Sequence, residues 1–372
     1  MLAQPPAETR LWRHFDPWLF LGTLALVLWG IVMVYSATVD PVTGAVDTRV
    51  YKQVVFALVG LGFFFLMVTL DYRALGPLAA VLYLLALGLL VVVLLSGRFS
   101  YGAQRWLSLG PIEFQPSEPA KLFVIVALAR FFGRHRPRLH RFRWVLASLA
   151  LAALPAGLTF LQPDLGTAMV YLAIWGGMVL VAGLRGRHLL YLLGAALAVA
   201  PFLWLGLRDY MRRRLLIFLD PYSDPFGAGY NIIQAMLAVG SGGLVGRGLV
   251  ASSDSQLRSL IVQYADFIFA ILAEEFGFLG GLGLFALYGL VLWRCLRAAF
   301  LTSDLFGRFL AVGVATALCF QAQVHIGMNL AVLPVTGLPL PLVSYGGSAL
   351  LTFLSALGLV ESVAMRHRKF EF

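Results

Sequence analysis

The chain is dominated by apolar runs of about twenty residues, the length a helix needs to cross the hydrocarbon core of a bilayer. Ten spans are read, at about 17–38, 51–70, 76–95, 118–132, 144–161, 167–183, 188–207, 267–293, 308–331 and 342–364. With 60% hydrophobic and 12% charged residues over 372 positions, an ordinary soluble fold is excluded. The expectation is therefore an all-α polytopic membrane protein, residues 1–372 forming one transmembrane domain. The first apolar stretch, Trp18 to Tyr35, is too long for a cleavable signal and is expected to stay in the membrane.

Lys and Arg accumulate in short cytoplasmic loops, so their positions set the orientation. With both termini cytoplasmic, the inner side gathers Arg10, Arg13 and Arg73, the arginines between 134 and 143, and those at 185, 187, 294, 297 and 308. Arg366, Arg368 and Lys369 join them. Short outer loops then hold only Arg49, Lys52, Arg98 and Arg105. The net charge of +10 reflects loops facing anionic head groups, since no basic run is interleaved with aromatics as nucleic-acid binding requires. One connection is long: residues 208–265, placed outside the membrane, where apolar stretches predict interfacial helices and not disorder. Cys295 and Cys319 lie in no C-x-x-C pattern and the histidines are scattered, so neither a disulfide framework nor a histidine metal cluster is read.

Most of the acids fall in the outward half, which places the expected cavity there. Asp266 opens the eighth span and Glu274 and Glu275 follow about two turns later. An ionised carboxyl is costly in hydrocarbon and so marks function by default. The plainer role for Asp266 is to cap the helix, and for each Glu to pair with a basic neighbour. At 100° per residue Glu274 lies only about 80° from Asp266, which predicts a wet, acidic face.

Other polar groups each carry two readings. Glu118 and Lys121 share a helix face, either as a structural ion pair or with Lys121 turned to an anion in the Asp266 cavity. Asp164 and Thr167 cap the sixth span or face the cavity. Arg212, Arg213 and Arg214 either snorkel to head groups or offer the forked guanidiniums that a diphosphate requires. Ser344 lies among small residues that suit helix packing, its hydroxyl a weaker cavity candidate. No P-loop, G-x-S-x-G or H-E-x-x-H motif is present, which gives no support to ATP as an energy source.

Eight short blocks, in order, carry a resemblance. They are Gly102-Ala103-Gln104-Arg105-Trp106, Phe114-Gln115-Pro116-Ser117-Glu118 with Lys121, Gln162-Pro163-Asp164-Leu165-Gly166-Thr167, and Phe218-Leu219-Asp220-Pro221. Gly227 to Gln234, Gly240 to Leu244, Asp266 to Ala270 with Glu274 and Glu275, and Pro339 to Ser348 complete the series. The chain resembles the SEDS family (shape, elongation, division, sporulation) of peptidoglycan polymerases along nearly its whole length. Gly227 to Gln234 is worded as in the RodA branch, whereas Thr336-Gly337-Leu338-Pro339 is closer to FtsW. Two departures stand out: Tyr264-Ala265 replaces the His-Thr common before the aspartate, and Pro119 interrupts the usual Ser-Glu-apolar-Ala-Lys run.

The resemblance implies a glycosyltransferase that polymerises lipid II at the outer face of the bacterial cytoplasmic membrane and releases undecaprenyl diphosphate. Asp266 would be the base. Arg105, Lys121, Arg213 and Arg214 would hold the diphosphate, with or without a divalent cation such as Mg2+ or Mn2+. Glu118, Asp164 and Ser344 complete the implied substrate-binding set. A class B penicillin-binding protein and the elongation machinery are the implied partners. Two other classes stay open at this point, a lipid II flippase using Glu274 and Glu275 for proton coupling, and a scaffold that only docks its partner.

Overall fold

The structure, a computed structural model, describes residues 12–40, 43–100, 103–109, 112–207, 209–227, 229–250 and 263–366. Among the described residues, ten long helices form near the positions of the apolar runs. They are α1 (Pro17–Thr38), α2 (Thr48–Thr69), α3 (Leu75–Ser96), α4 (Ser117–His135), α5 (Phe142–Leu161), α6 (Leu165–Ala182) and α7 (Gly186–Gly206), then α11 (Ile268–Leu301), α12 (Leu305–Asn329) and α13 (Gly347–Met365). Among the described residues, eight helices are long and apolar enough to cross a membrane, which makes the chain a multi-pass membrane protein. The two others are α4 and α7. The first carries Glu118, Lys121, Arg130 and Arg134, and the second keeps its apolar stretch only over Gly186–Phe202.

The fold is not purely helical. Residues 98–100, 103–109 and 112–114 form a small antiparallel sheet of three strands, β1 (Arg98–Ser100), β2 (Ala103–Leu109) and β3 (Ile112–Phe114), in the order β1-β2-β3. Phe99 stands opposite Gln104, and Leu107 opposite Phe114. The local sequence explains this, because Tyr101-Gly102 and Gly110-Pro111 punctuate runs too short and too polar for a span. Arg105 is carried on the middle strand.

The long connection contains helices, as expected: α8 (Asp209–Leu219) and α9 (Tyr230–Ser241), followed after the turn at 242–250 and residues 251–262, which lie outside the described set, by the single turn α10 (Gln263–Asp266). Helix α9 packs on α11 and α12 and does not lie free on a surface.

Helix α12 sits at the centre, against α4, α6 and α11, while α13 lies along α2. Glycines allow that closest approach. A methyl added at Gly358 would overlap the Phe64 carbonyl oxygen, and one at Gly60 would overlap the Leu354 side chain. Helix α11 is broken at Gly277, whose φ of 64° and ψ of −159° leave the helical region. The 242–248 turn repairs the break. Arg247 N–H donates to Glu274 C=O at 3.0 Å, Gly248 N–H to Glu275 C=O at 3.0 Å, and Phe278 N–H to Gly243 C=O at 2.9 Å.

This repair overturns the expected wet acidic face. Glu274 and Glu275 are each 1% exposed. Glu274 Oε1 lies 3.6 Å from the Arg247 guanidinium, and Glu275 Oε1 accepts from the Ser36 hydroxyl and from Val250 N–H at 3.1 Å. Both carboxylates hold the turn, and neither faces Asp266's cavity.

Because the Phe64 carbonyl sits where a Gly358 side chain would, Gly358→Ala is expected to force α2 and α13 apart at a cost of about 1–3 kcal/mol. A lowered melting temperature in detergent checks this; an unchanged one would mean the two helices separate freely.

Candidate catalytic site around Asp266

Asp266 ends the single turn α10, and α11 begins two residues later at Ile268. It is not the helix cap: the N-cap position falls on Phe267, which offers no side-chain hydrogen bond. Asn329, at the end of α12, does that work from outside the helix. Its Oδ1 accepts from Ala270 N–H at 3.1 Å, and its Nδ2 donates to the Asp266 carbonyl at 2.9 Å.

Three successive carbonyls of the α10 turn are held this way. Tyr345 N–H donates to Tyr264 C=O at 3.1 Å, the Ser344 hydroxyl to Ala265 C=O at 2.7 Å, and Asn329 to Asp266 C=O. The backbone bearing the carboxylate is fixed by the C-terminal third of the chain. Tyr264, which replaces the family's usual histidine, stacks beneath Arg49 at 4.4 Å and meets Tyr345 edge-on with centroids 5.5 Å apart.

The Asp266 side chain points to Gly337. A methyl placed on that glycine would sit 3.8 Å from Asp266 Oδ2, 3.8 Å from Arg214 Nη1 and 3.9 Å from Arg105 Nη1. One carboxylate and two guanidiniums therefore surround one point, kept open by a residue without a side chain and with φ of +74°. All three side chains are half-buried. Burial pushes the Asp266 carboxyl above its ordinary pKa, against the opposing pull of Arg214 and Arg105.

Each arginine is itself anchored. Arg214, on α8, donates to Val335 C=O at 3.3 Å. Arg105 donates to Pro163 C=O, and its Nε lies 3.7 Å from Asp164 Oδ2. Asp164 meanwhile caps α6, accepting from Thr167 N–H at 3.1 Å and from its hydroxyl at 2.9 Å. The capping reading is thus realised, and the cap is also the brace for Arg105.

Other anticipated residues are placed elsewhere. Lys121 and Glu118 form an ion pair at 2.8 Å, only 2% and 1% exposed, and Lys121 also donates to Gln321 at 2.8 Å. Arg213 is exposed, one helical step away from Arg214. Ser344 spends its hydroxyl on Ala265 C=O and on Leu340 N–H at 2.9 Å. Among the described residues no group of three or more His, Cys, Asp or Glu could hold a metal. A lone carboxylate between two guanidiniums does not fit a resident divalent cation. The sequence does not single out Asn329, and it marks Gly337 only as part of the Thr336-Gly337-Leu338-Pro339 block. Asn329 had a signal in the four-residue spacing of Gln321, His325 and Asn329 along an apolar span, while Gly337 had only its place beside the prolines.

Comparison with known proteins follows the same lines. The family profile FTSW_RODA_SPOVE, described as cell cycle protein, matches residues 17–369. Peptidoglycan glycosyltransferase MrdB of Escherichia coli (strain K12) is 41% identical over 98% of this chain and 97% of its own length. Stage V sporulation protein E of Bacillus subtilis (strain 168) is 35% identical over 95% and 98%. A solved chain from a peptidoglycan synthase complex that coordinates polymerization and crosslinking superposes with a TM-score of 0.82 at 39% identity, covering 95% of this chain and 99% of that one. The crystal structure of the rod shape determining protein RodA of Thermus thermophilus superposes with a TM-score of 0.71 at 36% identity, over 95% and 98%. Fold and site together define a multi-pass membrane protein with one acidic group set between two arginines. The chain belongs to the FtsW/RodA/SpoVE family, the SEDS proteins.

Arg214→Gln removes one of the two cations that hold the Asp266 carboxyl down, so its proton is expected to bind at higher pH. Infrared titration of the protonated carboxyl band, with Asp266→Asn to assign it, checks the sign; an unmoved band would separate Arg214 from the site.

Proposed function

We propose that this chain is a peptidoglycan glycosyltransferase that polymerises lipid II into glycan strands for cell-wall elongation and rod shape. The observation that carries the reading is the convergence of Asp266, Arg105 and Arg214 on the Gly337 cradle. Asp266 takes the proton from the 4-hydroxyl of the acceptor sugar as that oxygen bonds to C1 of the donor. The bond from C1 to the diphosphate oxygen breaks, and undecaprenyl diphosphate leaves with the electron pair. Arg105 and Arg214 stabilise the charge developing on that leaving group by forked hydrogen bonds. The upward shift of the carboxyl pKa by burial suits this role, because it makes the carboxylate a stronger base.

In this reading ten helices span the bacterial cytoplasmic membrane, both termini are cytoplasmic, and residues 208–265 lie outside as part of one transmembrane domain. Support comes from the inner clustering of basic residues and from α4 and α7 forming at the positions of the fourth and seventh spans. A class B penicillin-binding protein is the proposed partner within the elongation machinery. The likeness to a chain of a synthase complex that couples polymerization to crosslinking supports that pairing. Elongation is favoured over the division role by the 41% identity to MrdB over 98% of the chain. A flippase has no observation in its favour, since Glu274 and Glu275 are engaged with the 242–250 turn.

Purified protein incubated with lipid II is expected to yield glycan strands, and Asp266→Asn to lower that rate by about 100-fold or more, the scale of a lost general base. Parental polymerisation by a correctly folded Asp266→Asn would end the base assignment, and lipid II crossing a vesicle without polymer would end the transferase one.

A further inference from the structure

Along α12, Gln321, His325 and Asn329 recur at every fourth position, share one helix face, and are all 0% exposed. Each reaches out of the helix to a backbone group near the cradle. Gln321 Nε2 donates to Pro339 C=O at 2.9 Å while its Oε1 accepts from Lys121 at 2.8 Å. His325 Nδ1 lies 2.8 Å from Leu338 C=O. Asn329 completes the ladder: Nδ2 donates to Asp266 C=O at 2.9 Å and to His325 C=O at 2.8 Å, and Oδ1 accepts from Ala270 N–H at 3.1 Å. Both donors and the acceptor of its amide are engaged, which leaves the side chain one orientation.

We propose that Asn329 is the positioning residue for Asp266, capping α11 from a neighbouring helix so that the carboxylate stays turned toward Arg105 and Arg214. The inference rests on the polymerase reading above. A helix N-terminus carries unsatisfied N–H groups and a positive end, and in an apolar surround it takes the nearest oxygen available. The acidic residue next to that helix start along the chain is Asp266, one residue before the N-cap. Asn329 fills the position first. Freed from capping, Asp266 keeps its charge for the cradle, and its backbone is fixed by the same amide. The buried Glu118–Lys121 pair joins this arrangement through Gln321, which braces the 335–341 segment at Pro339 C=O.

Without Asn329 the carboxylate is drawn onto the α11 N–H groups. Two things follow: the proton acceptor leaves the reacting hydroxyl, and hydrogen bonds from the helix end lower its pKa. The test compares full-length parent, Asn329→Leu and Asn329→Ser, purified and assayed with lipid II across pH. Serine leaves room for water at the Asp266 carbonyl and the Ala270 N–H and serves as the variant that keeps the fold. For any variant with parental elution and melting behaviour, kcat is expected to fall by about tenfold or more with KM within about twofold. The acidic limb of the rate profile is expected to move by roughly one unit toward lower pH, a tenfold change in proton affinity. A folded variant with parental kcat, or one slowed with its acidic limb unmoved, overturns the proposal. So does failure of both variants to fold, which would make the residue structural. Asp266→Asn in the same assay judges the base role separately, so the two ideas fail by different results.

Discussion

Everything around the site depends on how the start of α11 is satisfied in a low-dielectric surround. A helix entering the apolar core exposes N–H groups that water cannot reach, and leaving them bare costs free energy comparable to a lost hydrogen bond. Here Asn329 meets that demand from α12. At the second break, near Gly277, the 242–248 turn answers the same demand by accepting from Phe278 and Leu279 N–H at the Gly243 and Leu244 carbonyls, and it donates its own N–H groups to the freed Glu274 and Glu275 carbonyls. Irregular backbone is thus tolerated at membrane depth only where another segment completes its hydrogen bonds.

The electrostatics of the cradle follow from partial burial. Desolvation disfavours the Asp266 carboxylate and two guanidiniums restore part of what it loses. Arginine suits both positions because its fork binds an anion on one edge and a carbonyl on another. Arg105 shows this, braced by Pro163 C=O and Asp164 while Nη1 faces Asp266. Lysine at 121 is used differently, its single charge consumed by Glu118 and Gln321.

At the other end of the bundle a second buried cluster fixes the same helices. Arg294 on α11 donates to Asp16 Oδ2 at 2.7 Å, and Asp16 N–H donates to Glu361 Oε1 on α13 at 2.6 Å. Arg366 reaches Val68 C=O at 3.1 Å and Thr69 C=O at 2.8 Å, closing α13 onto α2. Such desolvated pairs contribute little net stability but are costly to break singly, so they hold one arrangement of α1, α11 and α13 against alternatives. With the far ends pinned, the Asp266 end has one register in which to meet Asn329 and Ser344.

Apolar length already marked a helical, multi-pass membrane protein and singled out Asp266 as an acid at a helix start, because those are local properties of hydrocarbon transfer and charge. The small sheet at 98–114 was legible in its Gly and Pro punctuation but was hidden by the helical pattern on both sides. What tertiary structure alone decided was which polar groups share a space. Arg105 and Arg214, 109 positions apart in the chain, meet at Gly337, whereas Arg213, adjacent to Arg214, turns away and Lys121 is walled in. The physical reason is that a buried charge is useful only when its partners' angles and distances are set, and those come from helices packed across the whole chain, not from spacing along it.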